Sequence, residues 1–209
     1  MPRARLPEGL IDRIRALPGA RVIVALAGAP ASGKSALADA IIEGLRQAGD
    51  SAEILPMDGY HLDDAVLIPA GLRPVKGAPQ TFDVDGFYHT LSRLRRADEA
   101  AVAVPVFDRE QELSRAAARL IPASTRVILT EGNYLLMEAA PWDRLAPLYD
   151  LTLRLDVPED VLRDRLIKRW QRYGIDPAEI TRRVEENDLP NGRRVTQGSR
   201  QPDVILTAD

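Results

Sequence analysis

Three features of the chain predict a three-layer α/β/α fold on a five-stranded, mainly parallel sheet, with a helical lid. Five short apolar runs recur, at 22–27, 52–57, 127–130, 151–155 and 204–206. Helix-favouring stretches separate them, the alternation of a parallel sheet covered by helices on both faces. A glycine-bearing octapeptide, GAPASGKS at 28–35, joins the first run to the helix behind it.

The elements follow in order. Leu6, Leu10, Ile14 and Leu17 lie four, four and three apart, a helical stripe that Pro18-Gly19 ends. After the octapeptide, Leu37, Ile41 and Leu45 mark the buried line of a helix that stops near Gly49. The 52–57 strand delivers Asp58. From 62 to 122 the pattern is less regular, and Pro69, Gly71, Pro74, Gly77 and Pro79 mark a loop-rich excursion. Within it Phe87, Leu91 and Leu94 share one face of a helix over 84–96. The 127–130 strand delivers Glu131. Pro158 suits the first turn of a helix over 158–173, and Asp176-Pro177 resembles an N-cap and N1 pair opening another over 176–186. The reading is one domain over 1–209, with an acceptor-binding insert at 62–122 and a lid at 158–190.

Composition narrows the function. With 209 residues and 45% apolar content, one substantial core is expected. Cysteine is absent, which excludes disulfides, thiolate metal sites and thiol nucleophiles. Two histidines, His61 and His89, cannot build a His-rich zinc centre. Twenty-eight Lys and Arg against 31 Asp and Glu leave a net charge of −3, which argues against nucleic acid as a partner. The basic residues crowd late in the chain, from Arg163 to Arg172 and again from Arg182 to Arg200, which suits a small anionic ligand. No apolar run approaches the roughly 18–20 residues that span a membrane. The opening MPRARLPEGL lacks the apolar stretch of a leader, so a cytoplasmic monomer or homodimer is expected.

The octapeptide fits G-x-x-x-x-G-K-[ST] in the right context, between a strand and a helix. A triphosphate needs several backbone N–H groups converging on it, and Gly28 and Gly33 free the backbone for that nest. The following helix turns its unpaired N–H groups and positive dipole end to the same phosphates. Gly28, Ala29, Pro30, Ala31, Ser32, Gly33, Lys34, Ser35 and Ala36 are thus expected to hold the triphosphate tail of a nucleotide. Lys34 reaches the β- and γ-phosphates and the Ser35 hydroxyl takes a Mg²⁺ position. In parallel sheets ligands gather at the carboxyl ends of strands. Asp58 there can take the proton of an attacking hydroxyl, or merely cap the next turn. Glu131 can orient water on Mg²⁺ or hold an acceptor hydroxyl, or shape the loop by bonding Lys34 or Ser35. Arg165, Arg169 and Arg172, spaced four and three apart, share a helix face that can close over the phosphates. No N-K-x-D or L-S-G-G-Q string occurs, which sets aside GTPase switches and transporter ATPases.

In order, GAPASGKS, MDGYHLDD, TFDVDGFYHTL, VPVFDRE, VILTEGNYLL and RDRLIKRWQRYG resemble the uridine kinase, phosphoribulokinase and bacterial pantothenate kinase group of P-loop kinases. The resemblance runs from Val22 to Leu206 and implies the P-loop NTPase fold and use of ATP. It implies that Asp58, followed by the aromatic Tyr60, is the catalytic base. It further implies that residues near Asp83 and Asp85 hold the acceptor, and that Arg165, Arg169 and Arg172 form an arginine-rich lid, with Arg165 and Arg169 catalytic and Arg172 on the nucleotide. The Gly-Asn-Tyr-Leu-Leu stretch is similar to a bacterial subfamily described as nucleoside/nucleotide kinase-like or fructose transport system kinase. The acceptor's identity does not carry over. VPVFDREQELS replaces the Tyr–Phe pair and H-S-R stretch of uridine kinases, and the longer pantothenate kinase segments have no room.

The residues themselves place Tyr60, His61, Asp83, Asp108, Arg109 and Tyr134 at the acceptor. Asp58, Asp83, Asp85 and Asp108 against Arg109 make a carboxylate excess that favours vicinal hydroxyls, hence a sugar or nucleoside before a pantothenate-like acid. Local alternatives stand beside these: a loop bond for His61, an N-cap for Asp83, and a surface turn for Asp108-Arg109. His89 reads as structural. A nucleotide-dependent binding protein without turnover is the rival from another class, and the intact Lys34, Ser35, Asp58 and Glu131 speak against it.

Overall fold

The structure is a computed structural model that describes residues 6–207. The opening residues 1–5, part of the segment expected to carry no leader, lie outside the described residues. In chain order α1 (Leu10–Arg15) precedes β1 (Val22–Gly28), and α2 (Lys34–Gln47) leads to β2 (Ala52–Pro56). Next come the single turn α3 (Asp64–Leu67), α4 (Val84–Arg96), β3 (Ala101–Asp108) and β4 (Leu113–Pro122). Then follow β5 (Val127–Gly132), β6 (Leu151–Asp156), α5 (Glu159–Arg172), α6 (Pro177–Arg183), α7 (Leu189–Gln197) and β7 (Val204–Thr207).

The main sheet is five-stranded and parallel throughout, in the order β2-β5-β1-β6-β7. Every residue of β1 and β5 is buried, as a strand covered on both faces requires. Alternate side chains of β1 feed two cores. Val22, Val24 and Leu26 meet α1 and α2, while Ile23, Ala25 and Ala27 meet α4, the β3–β4 hairpin and the 134–149 segment. This is the expected α/β/α arrangement, a P-loop NTPase fold. A third apolar cluster joins Ala29 of the glycine loop to Leu162 and Leu166 of α5, Ile180 of α6 and Leu189 of α7. It seats the late helices over the loop.

Two elements depart from the sequence reading. The 101–122 stretch, expected to be irregular, is an antiparallel hairpin with a register shift between Val104 and Val106. Pro105 and the run Ala116-Ala117-Ala118 hide its period-two pattern, and the shift breaks what remains. The second late helix does not stop at 186. After α6 the chain widens into a π turn at Val184–Asp188 and continues as α7. Pro190 stands in the first turn of α7, where a proline has no intrahelical bond to lose.

Candidate active site

The parallel order puts every strand's carboxyl end on one side. There β1 passes into the glycine loop, with Ala31 at φ 61° and Gly33 at φ 97°. These two, rather than Gly28, are the left-handed positions that turn backbone amides inward. Gly28 serves by lacking a side chain, since a Cβ there would lie 2.8 Å from Ser32 Oγ and 3.3 Å from the Leu155 carbonyl. No side chain caps the amino end of α2, and its first turn carries no acid. Ser32 Oγ is buried without a hydrogen-bond partner. Lys34 pairs with no carboxylate among the described residues. A polar cradle with uncapped N–H groups, an orphan hydroxyl and a free ammonium fits a polyphosphate.

Next to it stand the two acids. Glu131 ends β5 between β1 and β2, registered against Leu26 and Pro56. Its Oε2 accepts from Ser35 Oγ at 3.3 Å. Burial pushes the Glu131 carboxyl above its ordinary value, and Asp58 pushes the same way against Lys34 and Ser35. Asp58 follows β2 in a short 3₁₀ turn, Met57–Tyr60. That turn packs so closely on the hairpin that a Cβ on Gly59 would lie 2.5 Å from the Pro105 carbonyl. Asp58 Oδ2 accepts from Arg109 Nη2 at 2.6 Å. Burial works to raise Asp58, but the pull of His61, Arg109, Lys34 and Arg169 outweighs it and holds the carboxyl below its ordinary value. Burial in turn keeps His61 below its own, against the pull of Asp58, so the imidazole is neutral at neutral pH. Its Nδ1 therefore donates to the Asp58 carbonyl at 2.8 Å. Two neighbouring carboxyls are thus driven apart, with Asp58 ionised and Glu131 reluctant to ionise. No cluster of three or more acidic or histidine ligands forms among the described residues.

Lys34 and Asp58 open onto a cavity of about 440 Å³ between the glycine loop, the 73–77 segment, the hairpin turn and the late helices. A smaller one of about 210 Å³ lies beyond, and Asp58, Phe107 and Arg109 border both. The expected site residues divide. Lys34, Pro30, Asp58, His61, Arg109 and Arg169 line the larger cavity. Arg165 instead donates to the Ser32 carbonyl at 2.9 Å, bracing the loop, and Arg172 is exposed at the end of α5 away from the cavity. Four acceptor candidates stand elsewhere. Tyr60 is buried edge-on to Phe87, and burial lifts its hydroxyl to about 12. Tyr134 is fully buried, its hydroxyl donating to the Gly77 carbonyl at 2.6 Å. Asp83 caps α4 through the Gly86 amide at 2.8 Å, and Asp108 accepts from the Glu110 and Gln111 amides in the hairpin turn. Asp85 pairs with Arg144. The carboxylate excess expected at the acceptor is therefore absent: of those four aspartates only Asp58 reaches the cavity.

Sequence reasoning did not single out Arg73, Lys76, Asn133, Trp170, Arg182 or Arg183 as cavity residues, and all line it. Arg182 and Arg183 were visible as a basic pair. Arg73 and Lys76 sat in a stretch legible only as loop. Asn133 follows Glu131-Gly132 directly, and its Oδ1 is buried without a partner.

A strand–glycine loop–helix with a free lysine, a serine on a strand-end acid and a second acid across the cavity define a P-loop kinase. No protein-family model matches the chain. A solved structure from Silicibacter sp. TM1040, provisionally described as a fructose transport system kinase, is 39% identical at a TM-score of 0.86, covering 95% of this chain and 96% of that one. The YggC protein of Escherichia coli (strain K12) is 34% identical over 197 residues, 90% of this chain and 78% of its own. A provisionally assigned uridine kinase of Schizosaccharomyces pombe is 30% identical over 194 residues, 89% of this chain and 83% of its own. The chain belongs to this family of P-loop kinase-like proteins, related to uridine kinase and fructose transport system kinase. It adopts the fold of a phosphotransferase, and that fold implies use of ATP and Mg²⁺. No helix among the described residues is long and apolar enough to cross a membrane.

Proposed function

We propose that the protein moves the γ-phosphate of Mg-ATP to a hydroxyl of a small metabolite. The observation that carries this reading is that Asp58, Lys34 and Arg169 line one cavity beside the glycine loop. Residues 28–36 hold the phosphates through loop amides and the amino end of α2, and Lys34 bears on the transferred group. Ser35 and Glu131 would hold Mg²⁺, which would neutralise phosphate charge when bound. The acceptor oxygen bonds the γ-phosphorus as the β–γ bridge breaks and ADP leaves with the electron pair. The hydroxyl proton passes to Asp58, once Arg109 yields its 2.6 Å hold on Oδ2. Arg169 neutralises charge on the transferring group, and α5 with α6, in the 158–190 region, acts as a lid that excludes water. The 62–122 region, with His61 just before it, forms the acceptor side, and His61 and Arg109 are the candidates retained.

A sugar or nucleoside supplies such a hydroxyl, although its preference over an acid loses support with the carboxylate excess gone. The reading is tested by ADP release and phosphorylated product across sugars, nucleosides and hydroxy acids. Product must appear in step with ADP. Binding of Mg-ATP with no product from any acceptor would instead favour a nucleotide-dependent binding protein.

A further inference from the structure

We propose that the acceptor carries its own anionic group, a phosphate or a carboxylate, held opposite the glycine loop by Arg73 and Lys76 on one wall and Arg182 and Arg183 on the other. This rests on the phosphotransferase reading and names its substrate class. The cavity lining holds seven Lys and Arg against four Asp and Glu. The nucleotide accounts for Lys34 and Arg169, and Asp58 for Arg109. The other four cations come from segments remote from the loop.

Each wall places two cations on one carboxylate. Arg73 and Lys76 share Asp64 at 2.6 and 2.8 Å, and their bonds hold its carboxyl below the ordinary value. Arg182 and Arg183 share Glu179 at 2.7 Å each, with Glu186 only at 3.9 Å from Arg182. One positive charge per pair is left over. The walls meet where Asn187 Nδ2 donates to the Lys76 carbonyl at 3.2 Å, and both pairs line the same cavity. Lys76 is the telling member, because its side chain is only 7% exposed and its ammonium lies 5.7 Å over the Phe107 ring. Desolvating an ammonium is costly, and a tie between Asp64 and the Glu112 carbonyl needs no second cation beside it. The opposing acids are weak rivals for a ligand. Glu110 and Glu112 are exposed on the hairpin turn, and burial raises the Asp188 carboxyl, which accepts from Trp170 Nε1.

The test has two arms. In the first, the full chain is saturated with Mg²⁺ and a non-hydrolysable ATP analogue and titrated with inorganic phosphate by calorimetry. One phosphate should bind, and Lys76→Met and Arg183→Gln should each weaken it at least tenfold. No binding, or binding that neither variant moves, overturns the proposal; Arg183→Gln, on a half-buried arginine, keeps the result readable if Lys76→Met folds poorly. In the second arm, matched sets of a neutral polyol, its carboxylate and its phosphate compete as acceptors, and the preferred anion identifies the headgroup. A neutral member used as well as its anions also overturns the proposal. Phosphate held by these residues with no transfer to any acceptor would remove the kinase reading and leave the anion site standing.

Discussion

The two ends of one sheet treat charge in opposite ways. At the amino end Arg21, only 9% exposed and without a carboxylate partner among the described residues, is spent on four backbone carbonyls. It donates to Thr125, Leu94, Pro122 and Ala123 at 2.5–3.0 Å, tying the entry to β1 to the end of α4 and the end of the hairpin. Asp150 similarly accepts from the Ile23 amide and from Arg95. At the carboxyl end Ser32 Oγ has no partner, Lys34 and Arg169 pair with no carboxylate among the described residues, and Glu131 is buried with its carboxyl raised. Groups satisfied within the chain stabilise it. Groups left unmatched at the loop await a ligand, and they cost stability until one arrives.

The comparison can be broken first at Asp58. Asp58→Asn keeps the shape and removes the proton affinity, so kcat should fall about 10²–10⁴-fold while Mg-ATP affinity changes little. A drop under tenfold with the true acceptor would leave Asp58 a positioning group. Because its carboxyl is held low in the free enzyme, the acid limb of kcat/KM against pH should lie below the ordinary aspartate value of about 3.9, and Arg109→Ala should move it upward. At the opposite end, Arg21→Met strands four carbonyls and should cost about 3 kcal/mol in denaturant unfolding, with kinetics of the folded fraction unchanged.

Smaller effects sharpen the contrast along α5. Arg169→Ala should lower kcat by about tenfold or more, roughly 1.4 kcal/mol of barrier, while Arg172→Ala stays near wild type. Arg165→Ala should act through the Ser32 carbonyl and weaken nucleotide binding. Equal, wild-type kinetics in all three would return this helix face to solvent. The smallest effect concerns Glu131. Its folded carboxyl is raised, so the native state keeps a proton that the unfolded chain has lost. Stability therefore falls as pH rises from the unfolded value of about 4.3 through the folded one, and the full penalty remains above it. Glu131→Gln should accordingly raise the melting temperature of the ligand-free protein at pH 7 but not near pH 4, while weakening Mg-ATP. Thermal scans at the two pH values decide it.

The same contrast explains what the sequence disclosed. Strands buried on both faces are continuous apolar runs, and the glycine loop is a contiguous motif, so the sheet, Lys34, Ser35, Asp58 and Glu131 were all legible. Arg21 was not, because its four acceptors are backbone carbonyls, which have no sequence signature. Asp83 and Asp108 misled because a carboxylate beside irregular chain is as apt to cap a turn as to face a ligand. Arg73 and Lys76 reach the cavity only because the 62–82 excursion folds back, with His61 bridging Phe82 and Tyr134 holding Gly77. Such long-range ties leave no periodic trace.

The claim that unmatched charge at the carboxyl end exists for a nucleotide is tested most directly at Lys34. Phosphoryl transfer by Lys34→Ala at saturating Mg-ATP should lose at least ~2 kcal/mol of transition-state stabilisation, as removal of a strong electrostatic contact does. The melting temperature without ligand should change little, since Lys34 makes no ion pair among the described residues and acts on Asp58 and Glu131 only at longer range. Full turnover in this variant, or a ligand-free protein that unfolds for want of the ammonium, would contradict the account.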